Sequence, residues 1–283
     1  MNHSGKRSVT FSVLMSVYKG DDASHLKSAL NSIFELQTRK PDQIVIVVDG
    51  PVSVELINVI EGFRVCHDLI TEVVWCESNN GLGIALKKGT EYCTCDYILR
   101  MDADDLSVPD RFELQAEYAE QHPDIDAFGG YIEEFKRAPG DLDSSRKVPL
   151  DELGIRSMLK MRNPMNHVTM CIKKSSLKRV GGYEDVPYCE DYYLWAKMLA
   201  NECRLENMPF VLVNVRVGNG FTERRGAKKQ VFSWSIIQRF LLANRMTSRT
   251  KSWIALISIR LFVYMPTWMK KMLYGTALRS KKA

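Results

Sequence analysis

The sequence predicts an α/β fold in which a mixed, mostly parallel, Rossmann-like sheet is flanked by helices and followed by a basic helical C-terminal extension. Unbroken apolar runs alternate with helical patterns over residues 9–101, which is typical of a parallel sheet covered on both faces. Asp49 and Asp102 stand at the ends of two of these runs. Because ligands bind at the carboxyl ends of parallel strands, we expect both aspartates to face one crevice.

The first half of the chain alternates between predicted strands and predicted helices. The strands are rich in β-branched residues and cover residues 9–18, 43–50, 71–77 and 96–101. The helices have apolar residues at helical spacing and cover residues 25–36, 52–63 and a segment that follows the turn at 79–81. Each predicted helix therefore connects two parallel strands.

The second half is less regular. Ser107 and Pro109 predict the start of a helix, with Ser107 as its N-cap and Pro109 in its first turn. Strands are predicted at residues 126–136, 167–174 and 209–218, a short helix closed by glycines at 181–182, a helix at 189–200, and a loop at 136–149. Beyond residue 220 the chain is expected to be helical and basic.

Charge divides the chain into an acidic body and a basic tail. Residues 223–283 contain 14 lysines and arginines and one acidic residue, whereas residues 1–222 contain 25 basic and 33 acidic residues. Basic segments of this kind bind phosphates in nucleic acids, membranes or substrates. The sequence has none of the usual nucleic-acid-binding modules, so nucleic acid is not the expected partner.

Residues 253–275 give the tail an apolar and aromatic character. Its large aromatic residues are Trp253, Tyr264, Trp268 and Tyr274, which suit the headgroup region of a membrane. Arg260 would be costly at the centre of a bilayer. We therefore expect residues 223–283 to form a basic amphipathic region that lies in the plane of a membrane. A helical pair packed on the body is the alternative.

The seven cysteines and the N-terminus indicate a reduced, cytosolic environment. The number of cysteines is odd and no CxxC spacing occurs, which favours free thiols. The N-terminal apolar run lacks a small-residue cleavage site. The chain also lacks an uninterrupted apolar span of about 18 residues. We expect a peripheral protein without a secretion signal.

Four carboxylates follow the strand at 96–101 within nine residues, three of them at positions 102–105. Asp102 and Asp104 face the same way as the strand runs out, and a carboxylate pair of this kind suits Mg²⁺ or Mn²⁺ with positions left for phosphate oxygens. The alternative is a solvated acidic loop in which Asp105 or Ser107 caps a helix.

Glu190 and Asp191 open the helix at 189–200. The dipole at a helix N-terminus favours ionised carboxylates, which suits a general base. Acidic residues are also common in the first turn of any helix, so this pair is informative only together with Asp49 and the acidic segment at 102–105.

Taken together, these motifs resemble the family 2 glycosyltransferases of the GT-A fold. The resemblance covers residues 11–226 and includes the segments FSVLMSVYKGDD, IVIVVDG, NNGLGIALKKG, RMDADD, NPMNHVTMCIKKSSLKRVGGY and EDYYLW in this order. RMDADD with the later NHVT and RRG is similar to bacterial enzymes that assemble O-antigen or exopolysaccharide repeat units. Residues 1–222 would then be the GT-A catalytic domain.

The resemblance implies an inverting reaction at the cytoplasmic face of the bacterial inner membrane. Galactose or glucose would move from a UDP-sugar to an N-acetylhexosamine carried on a lipid diphosphate. The donor would be held by Ser16, Tyr18, Asp49, Asn80, Gly81 and Asp102. Asp104, with Asp102, would coordinate Mn²⁺ or Mg²⁺, and Asp191 would be the base with Glu190 beside it. Lys88 stands where the family often has asparagine.

Several basic residues could hold the diphosphate or the acceptor. Arg216, Arg224 and Arg225 are candidate diphosphate clamps, because guanidinium groups match phosphate oxygens; the alternative is a solvated basic loop. His167 is expected either to contact the acceptor or diphosphate, or to be a hydrogen-bonded loop histidine.

Two other functions fit parts of the pattern. A sugar nucleotidyltransferase also uses a metal on a similar sheet, but it usually has a glycine-rich loop after the first strand, where this chain supplies only Gly20. A non-catalytic membrane-bound scaffold of the same fold would not require Asp102, Asp104 and Asp191, which are all present.

Overall fold

The computed structural model describes residues 8–218, 228–266 and 268–270. Their strands are β1 (Phe11–Val17), β2 (Gln43–Val48), β3 (Thr71–Trp75), β4 (Tyr97–Asp102), β5 (Leu106–Ser107), β6 (Ala127–Phe135), β7 (Ser145–Arg146), β8 (Cys171–Lys173) and β9 (Leu205–Arg216). Their helices are α1 (Ala23–Ile33), α2 (Val54–Cys66), α3 (Leu82–Tyr92), α4 (Arg111–Gln121), α5 (Glu152–Leu159), α6 (Lys174–Arg179), α7 (Glu190–Ala200), α8 (Lys228–Ala243) and α9 (Arg249–Tyr264).

The strands form one mixed sheet in the order β3-β2-β1-β4-β8-β6-β9-β5, with β7 paired to β6. The four strands β3, β2, β1 and β4 are parallel, as the alternating pattern predicts. β8 is antiparallel to both β4 and β6, and β6 is parallel to β9. The predicted α/β class and the flanking helices are therefore confirmed.

Two local predictions in the second half are wrong, and hydrogen bonds from polar side chains explain both. Residues 167–174 form a strand only over Cys171–Lys173, because Thr169 bonds back to the carbonyl of Asn166 (Oγ1–O 2.7 Å) and closes a 3₁₀ turn. Ser107 does not cap a helix. It pairs with Val213 in the sheet and its N–H donates to Ser32 Oγ (3.0 Å), so α4 begins later.

The predicted loop at 136–149 also contains an element that sequence patterns did not reveal. Ser145 and Arg146 form the short strand β7, which pairs with β6 in antiparallel register. A strand of two residues is too short to show a period of two. Its position depends on the longer strand that it pairs with.

The sheet separates two hydrophobic clusters of buried residues. One face is covered by α1, α2 and α4, and the other by α3, α5, α6, α7 and α8. Ile237 and Leu241 of α8 are fully buried in this second cluster. The tail is thus joined to the body through α8. No helix among the described residues is long and apolar enough to cross a membrane.

Candidate active site

The carboxyl ends of β1, β2 and β4 meet at one edge of the sheet. Ser16 lies beside Asp102 in the register of β1 and β4. Tyr18 follows β1, and its N–H donates to the carboxylate of Asp21 (2.9 Å), which fixes the turn. Gly20 leaves room for the tyrosine ring, since a Cβ there would lie 2.5 Å from it. The turn after β1 therefore holds Tyr18 in a half-exposed position at this edge.

Asp49 is buried at the end of β2 and fastens the turn that precedes α3. Its two carboxylate oxygens accept the N–H groups of Asn80 (2.9 Å) and Gly81 (3.0 Å). Gly81 has a φ of +89°, a conformation that glycine adopts without steric cost. The structure thus joins three predicted donor-binding residues through direct hydrogen bonds.

A cleft of about 350 Å³ opens beside this turn. Asp49, Asn80, Trp75 and Lys88 are among its lining residues. Trp75, at the end of β3, is 45% exposed, and Lys88 Nζ donates to its carbonyl oxygen (3.3 Å). Aromatic surface with a few fixed polar groups is typical of small-molecule sites. Trp75 was missed by the sequence analysis, although a tryptophan ending a strand was a visible signal.

The acidic segment after β4 is anchored to β9 rather than free in solvent. Asp105 is buried, and its carboxylate accepts the N–H of Arg216 (2.7 Å). Arg216 Nε donates to the carbonyl of Asp104 (3.1 Å), and its guanidinium stacks over the ring of Phe135 at 4.5 Å. Arg216 therefore holds the acidic segment in place through its backbone N–H and its Nε.

The carboxylates of this segment lie close enough to repel one another. Burial, followed by the charges of Asp102 and Asp104, raises the pKa of Asp105 well above its ordinary value. The Asp102 side chain is 40% exposed. Accumulated negative charge with accessible oxygen ligands fits a hard divalent cation. No three acidic, histidine or cysteine side chains cluster as ligands among the described residues, so substrate oxygens would have to complete such a site.

A buried arginine lies directly beneath the acidic segment. Arg100, on β4, is 2% exposed, and its Nη2 donates to Asp102 Oδ1 (2.5 Å). Within the described part of the chain, its Nε and Nη1 have no hydrogen-bond partner. Its charge opposes the rise in the pKa of Glu190 and adds to the lowering of the pKa of His167 that burial causes. Arg100 was not among the predicted site residues, although a charge inside the apolar run YILRM was an available signal.

Glu190 and Asp191 occupy the first turn of α7, as predicted. Asp191 Oδ2 accepts a hydrogen bond from Asn163 Nδ2 (2.5 Å), and its Oδ1 accepts the N–H of Tyr192 (2.7 Å). Burial, followed by the charge of Asp191, raises the pKa of Glu190 to about 8. Glu190 therefore keeps its proton at neutral pH, and Asp191 is oriented by two hydrogen-bond donors.

A glycine brings α3 and α7 together. A Cβ on Gly83 would lie 2.6 Å from the carbonyl oxygen of Glu184 and 3.1 Å from Cβ of Glu190. The first turn of α3 follows Asn80 and Gly81, so this close approach joins the turn beside the cleft to the carboxylate pair. Asp102 also contributes to the raised pKa of Glu190. The acidic segment after β4 and the carboxylate pair on α7 therefore lie close enough to interact electrostatically.

His167 lies on the same side of the sheet, below this pair. Its Nε2 is 2.9 Å from the hydroxyl of Tyr183, and its ring packs edge-on to Trp195. Burial, followed by the charge of Arg100, lowers the pKa of His167 well below its ordinary value, so the ring is neutral. Arg224 and Arg225, the other predicted clamps, lie outside the described residues.

Comparison with known proteins gives a consistent result over most of the chain. Residues 12–186 match the family model described as glycosyl transferase family 2. An uncharacterized glycosyltransferase of Haemophilus influenzae is 39% identical over 95% of this chain and 99% of its own length. The UDP-Gal:alpha-D-GlcNAc-diphosphoundecaprenol beta-1,3-galactosyltransferase of Escherichia coli is 36% identical over 95% of this chain and 96% of its own. The amylovoran biosynthesis glycosyltransferase AmsE of Erwinia amylovora is 33% identical over 93% and 97%.

Two solved structures share the architecture. S. aureus TarS 1–349 in complex with UDP-GlcNAc has a TM-score of 0.67 at 15% identity, over 95% of this chain and 76% of that chain. The mannosyltransferase PcManGT from Pyrobaculum calidifontis in complex with GDP-Man and Mn²⁺ has a TM-score of 0.61 at 17% identity, over 96% and 80%. This likeness concerns the fold alone, and the fold is the predicted GT-A fold.

Proposed function

Because the chain belongs to glycosyl transferase family 2, we propose that it is an inverting enzyme that transfers galactose or glucose from a UDP-sugar. The acceptor is an N-acetylhexosamine on a lipid diphosphate, in the synthesis of O-antigen or exopolysaccharide repeat units. The observation that carries the proposal is the close approach of α3 and α7 at Gly83, which brings the turn held by Asp49 next to the carboxylate pair of α7. The E. coli and Erwinia relatives support the substrate class.

The donor nucleotide binds in the cleft beside Asp49. The half-exposed rings of Tyr18 and Trp75 offer stacking surfaces for the uracil. Asn80 and Gly81 close the site from the α3 side, because Asp49 holds their N–H groups in place. Each carboxylate oxygen of Asp49 has a second lone pair, which remains for the base or the ribose. Ser16 lies at the same edge.

Asp102 and Asp104 would hold Mn²⁺ or Mg²⁺, because they are the carboxylates whose charges converge on this edge. When bound, the divalent ion neutralises charge on the departing UDP diphosphate. Arg100 restrains Asp102 from below, and Arg216 restrains the backbone of Asp104. The remaining N–H groups of Arg216, with Arg224 and Arg225, would bind diphosphate oxygens.

Asp191 takes the proton from the acceptor hydroxyl. The Asn163 amide orients the carboxylate, and the positive end of α7 favours its ionised form. Glu190 does not compete for this role at neutral pH, because its pKa of about 8 keeps it protonated there. In an inverting transfer the base and the leaving group lie on opposite faces of the sugar. A divalent ion held by Asp102 and Asp104 would supply the charge neutralisation that makes a general acid unnecessary for the leaving diphosphate.

The acceptor approaches from the side of α7 and His167. A neutral His167, hydrogen-bonded to Tyr183, serves this side as a polar boundary of the acceptor site. We further propose that residues 1–222 are the catalytic domain, and that residues 223–283 hold the enzyme at the cytoplasmic face of the bacterial inner membrane, where lipid-linked acceptors are found.

A radiolabel transfer assay tests the proposal. UDP-galactose and UDP-glucose are offered in parallel with a synthetic N-acetylglucosamine-diphosphate-lipid, with Mn²⁺ or with EDTA. We expect metal-dependent transfer from one donor, and none from the Asp191→Asn variant. In a parallel reaction with labelled UTP and a hexose 1-phosphate, formation of a labelled nucleotide-sugar with release of diphosphate would make the protein a nucleotidyltransferase. Full activity of Asp191→Asn would show that Asp191 is not the general base.

A further inference from the structure

The C-terminal helix α9 has two chemically different faces. Its buried residues are Ser252, Ala255, Ile259 and Val263. Its large exposed apolar residues are Trp253, Ile254, Ile257, Leu261 and Tyr264. At 3.6 residues per turn, the exposed set falls within an arc of about 100°, on the side opposite the buried set. We call these five exposed residues the apolar face.

The apolar face is unusual for a surface in contact with water alone. The exposed fractions of its side chains range from 37% for Ile257 to 70% for Trp253. Single exposed apolar residues need no explanation, but contiguous aligned ones mark an interaction surface. The buried side of α9 already packs on α8. Something other than the described part of this chain therefore covers the apolar face.

The charges around the apolar face identify the partner as anionic. Arg249, Lys251 and Arg260 are exposed on the same helix, which has no acidic residue. Tryptophan and tyrosine place an apolar ring and a polar N–H or O–H at the same depth, which suits a lipid headgroup layer. A second copy of the chain fits less well, because two-fold pairing would bring these cations together.

We propose that the apolar face of α9 lies flat on an anionic phospholipid bilayer, with Arg249, Lys251 and Arg260 among the headgroups. The inference rests on the proposed function only in that a bilayer is where a lipid-linked acceptor resides. Because its other side is packed on α8, α9 offers one face to lipid and is not surrounded by it.

The anchor is connected directly to the candidate base. Ser233 of α8 donates to the carbonyl of Pro187 (2.7 Å), just before α7, and the ring of Trp234 packs edge-on to Tyr192 at 5.7 Å. α8 thus ties α9 to the segment that bears Asp191. Seating α9 on a membrane therefore holds the base at a fixed distance from the lipid surface.

Vesicle sedimentation with the full-length chain tests the surface. The probes are vesicles of phosphatidylcholine alone and of phosphatidylcholine mixed with phosphatidylglycerol. Trp253→Ser with Leu261→Ser should lower partitioning onto the mixed vesicles by at least about tenfold. Leu69→Ser with Leu153→Ser is the matched control, because both residues are strongly exposed (95% and 81%) away from α9, and it should bind as the unmodified protein does.

A charge variant separates lipid binding from other hydrophobic contacts. Arg249→Gln, Lys251→Gln and Arg260→Gln together should weaken binding to mixed vesicles and leave the weaker binding to phosphatidylcholine unchanged. Equal sedimentation of the Trp253–Leu261 variant and the unmodified protein would overturn the proposal. The proposal would also be overturned if the unmodified protein formed a dimer and did not bind vesicles, and if the double variant were a monomer. The partner of the apolar face would then be a second copy of the chain.

An assay with a short, water-soluble acceptor keeps this proposal distinct from the proposed function. The double variant Trp253→Ser with Leu261→Ser should transfer sugar to this soluble acceptor at the rate of the unmodified protein. Its transfer rate should fall only when the acceptor is a long-chain lipid in vesicles. If the protein binds vesicles but transfers no sugar, the proposed reaction is wrong and the proposed lipid-binding face is still supported. If the protein transfers sugar but does not bind vesicles, the proposed lipid-binding face is wrong and the proposed reaction is still supported.

Discussion

Replacing Arg100 by methionine should separate catalysis from stability. The variant loses one charge-assisted hydrogen bond, from Nη2 to Asp102 Oδ1 at 2.5 Å, and such bonds contribute about 1.5–3 kcal/mol. It also removes a 2% exposed charge whose Nε and Nη1 have no partner among the described residues. A buried N–H left unsatisfied costs about 1–3 kcal/mol. The two effects oppose each other, so the free energy of unfolding should change little.

The expected loss is in turnover. Without Arg100, Asp102 loses the group that fixes its orientation, and Asp102, Asp105 and Glu190 lose a buried counter-charge. If the 1.5–3 kcal/mol of the bond is expressed in the transition state, kcat should fall by roughly tenfold to a hundredfold. The Mn²⁺ concentration that gives half-maximal activity should rise. Arg100→Lys, which keeps the charge, should recover part of both.

The assay combines transfer kinetics with calorimetric titration of UDP and Mn²⁺ and with a thermal melt. We expect weaker Mn²⁺-dependent UDP binding in Arg100→Met and a melting temperature close to that of the unmodified protein. The reasoning is refuted if the melting temperature falls sharply while kcat and the Mn²⁺ dependence stay unchanged. Arg100 would then be a structural residue with no part in positioning Asp102.

Three other substitutions test the carboxylate pair and its support. Asn163→Ala removes the 2.5 Å bond to Asp191 and should lower kcat about tenfold or more without changing UDP affinity; unchanged kcat would contradict the orienting role. Gly83→Ala places a Cβ 2.6 Å from a backbone oxygen of the loop before α7 and should lower the free energy of unfolding by about 1–3 kcal/mol. Gly62→Ala is the control, because a Cβ there has nothing within 4 Å, and it should leave the stability unchanged. Glu190→Gln imitates the protonated form, so its melting temperature should exceed that of the unmodified protein at pH 9 but not at pH 4.

The sign of the Glu190 effect follows from proton linkage. Its pKa is raised from 4.5 to about 8 in the folded protein, so the folded state binds the proton more tightly than the unfolded state. Stability from this group is therefore present below pH 4.5 and is lost as the pH rises to about 8. If the difference in melting temperature between the unmodified protein and Glu190→Gln is the same at every pH from 4 to 9, Glu190 does not have this raised pKa.

Local sequence patterns determined the parallel half of the sheet. Apolar runs and helical spacing are properties of neighbouring residues, so β1 to β4 and α1 to α3 could be placed from the chain alone. The same patterns placed Asp49 and Asp102 at strand ends and Glu190 in the first turn of α7. The strand pairing then brought Ser16 beside Asp102.

Contacts between distant parts of the chain decided the rest. Arg100 looks like an interruption of an apolar strand until β4 is covered by α7 and the 3₁₀ turn at 167–169. Deleting the basic tail would remove Ile237 and Leu241 from the core, so part of the tail belongs to the folded body.

The chemical character of the acidic groups was likewise beyond sequence reasoning. Asp105 and Asp102 are identical side chains three residues apart. One is buried against the backbone of β9, and the other is half-exposed beside Arg100. Desolvation and the field of nearby charges raise the pKa of Asp105, and both depend on which elements pack around the group. The sequence determined where the carboxylates stand along the chain, and only the packed structure decided which of them are buried and which remain accessible to a ligand.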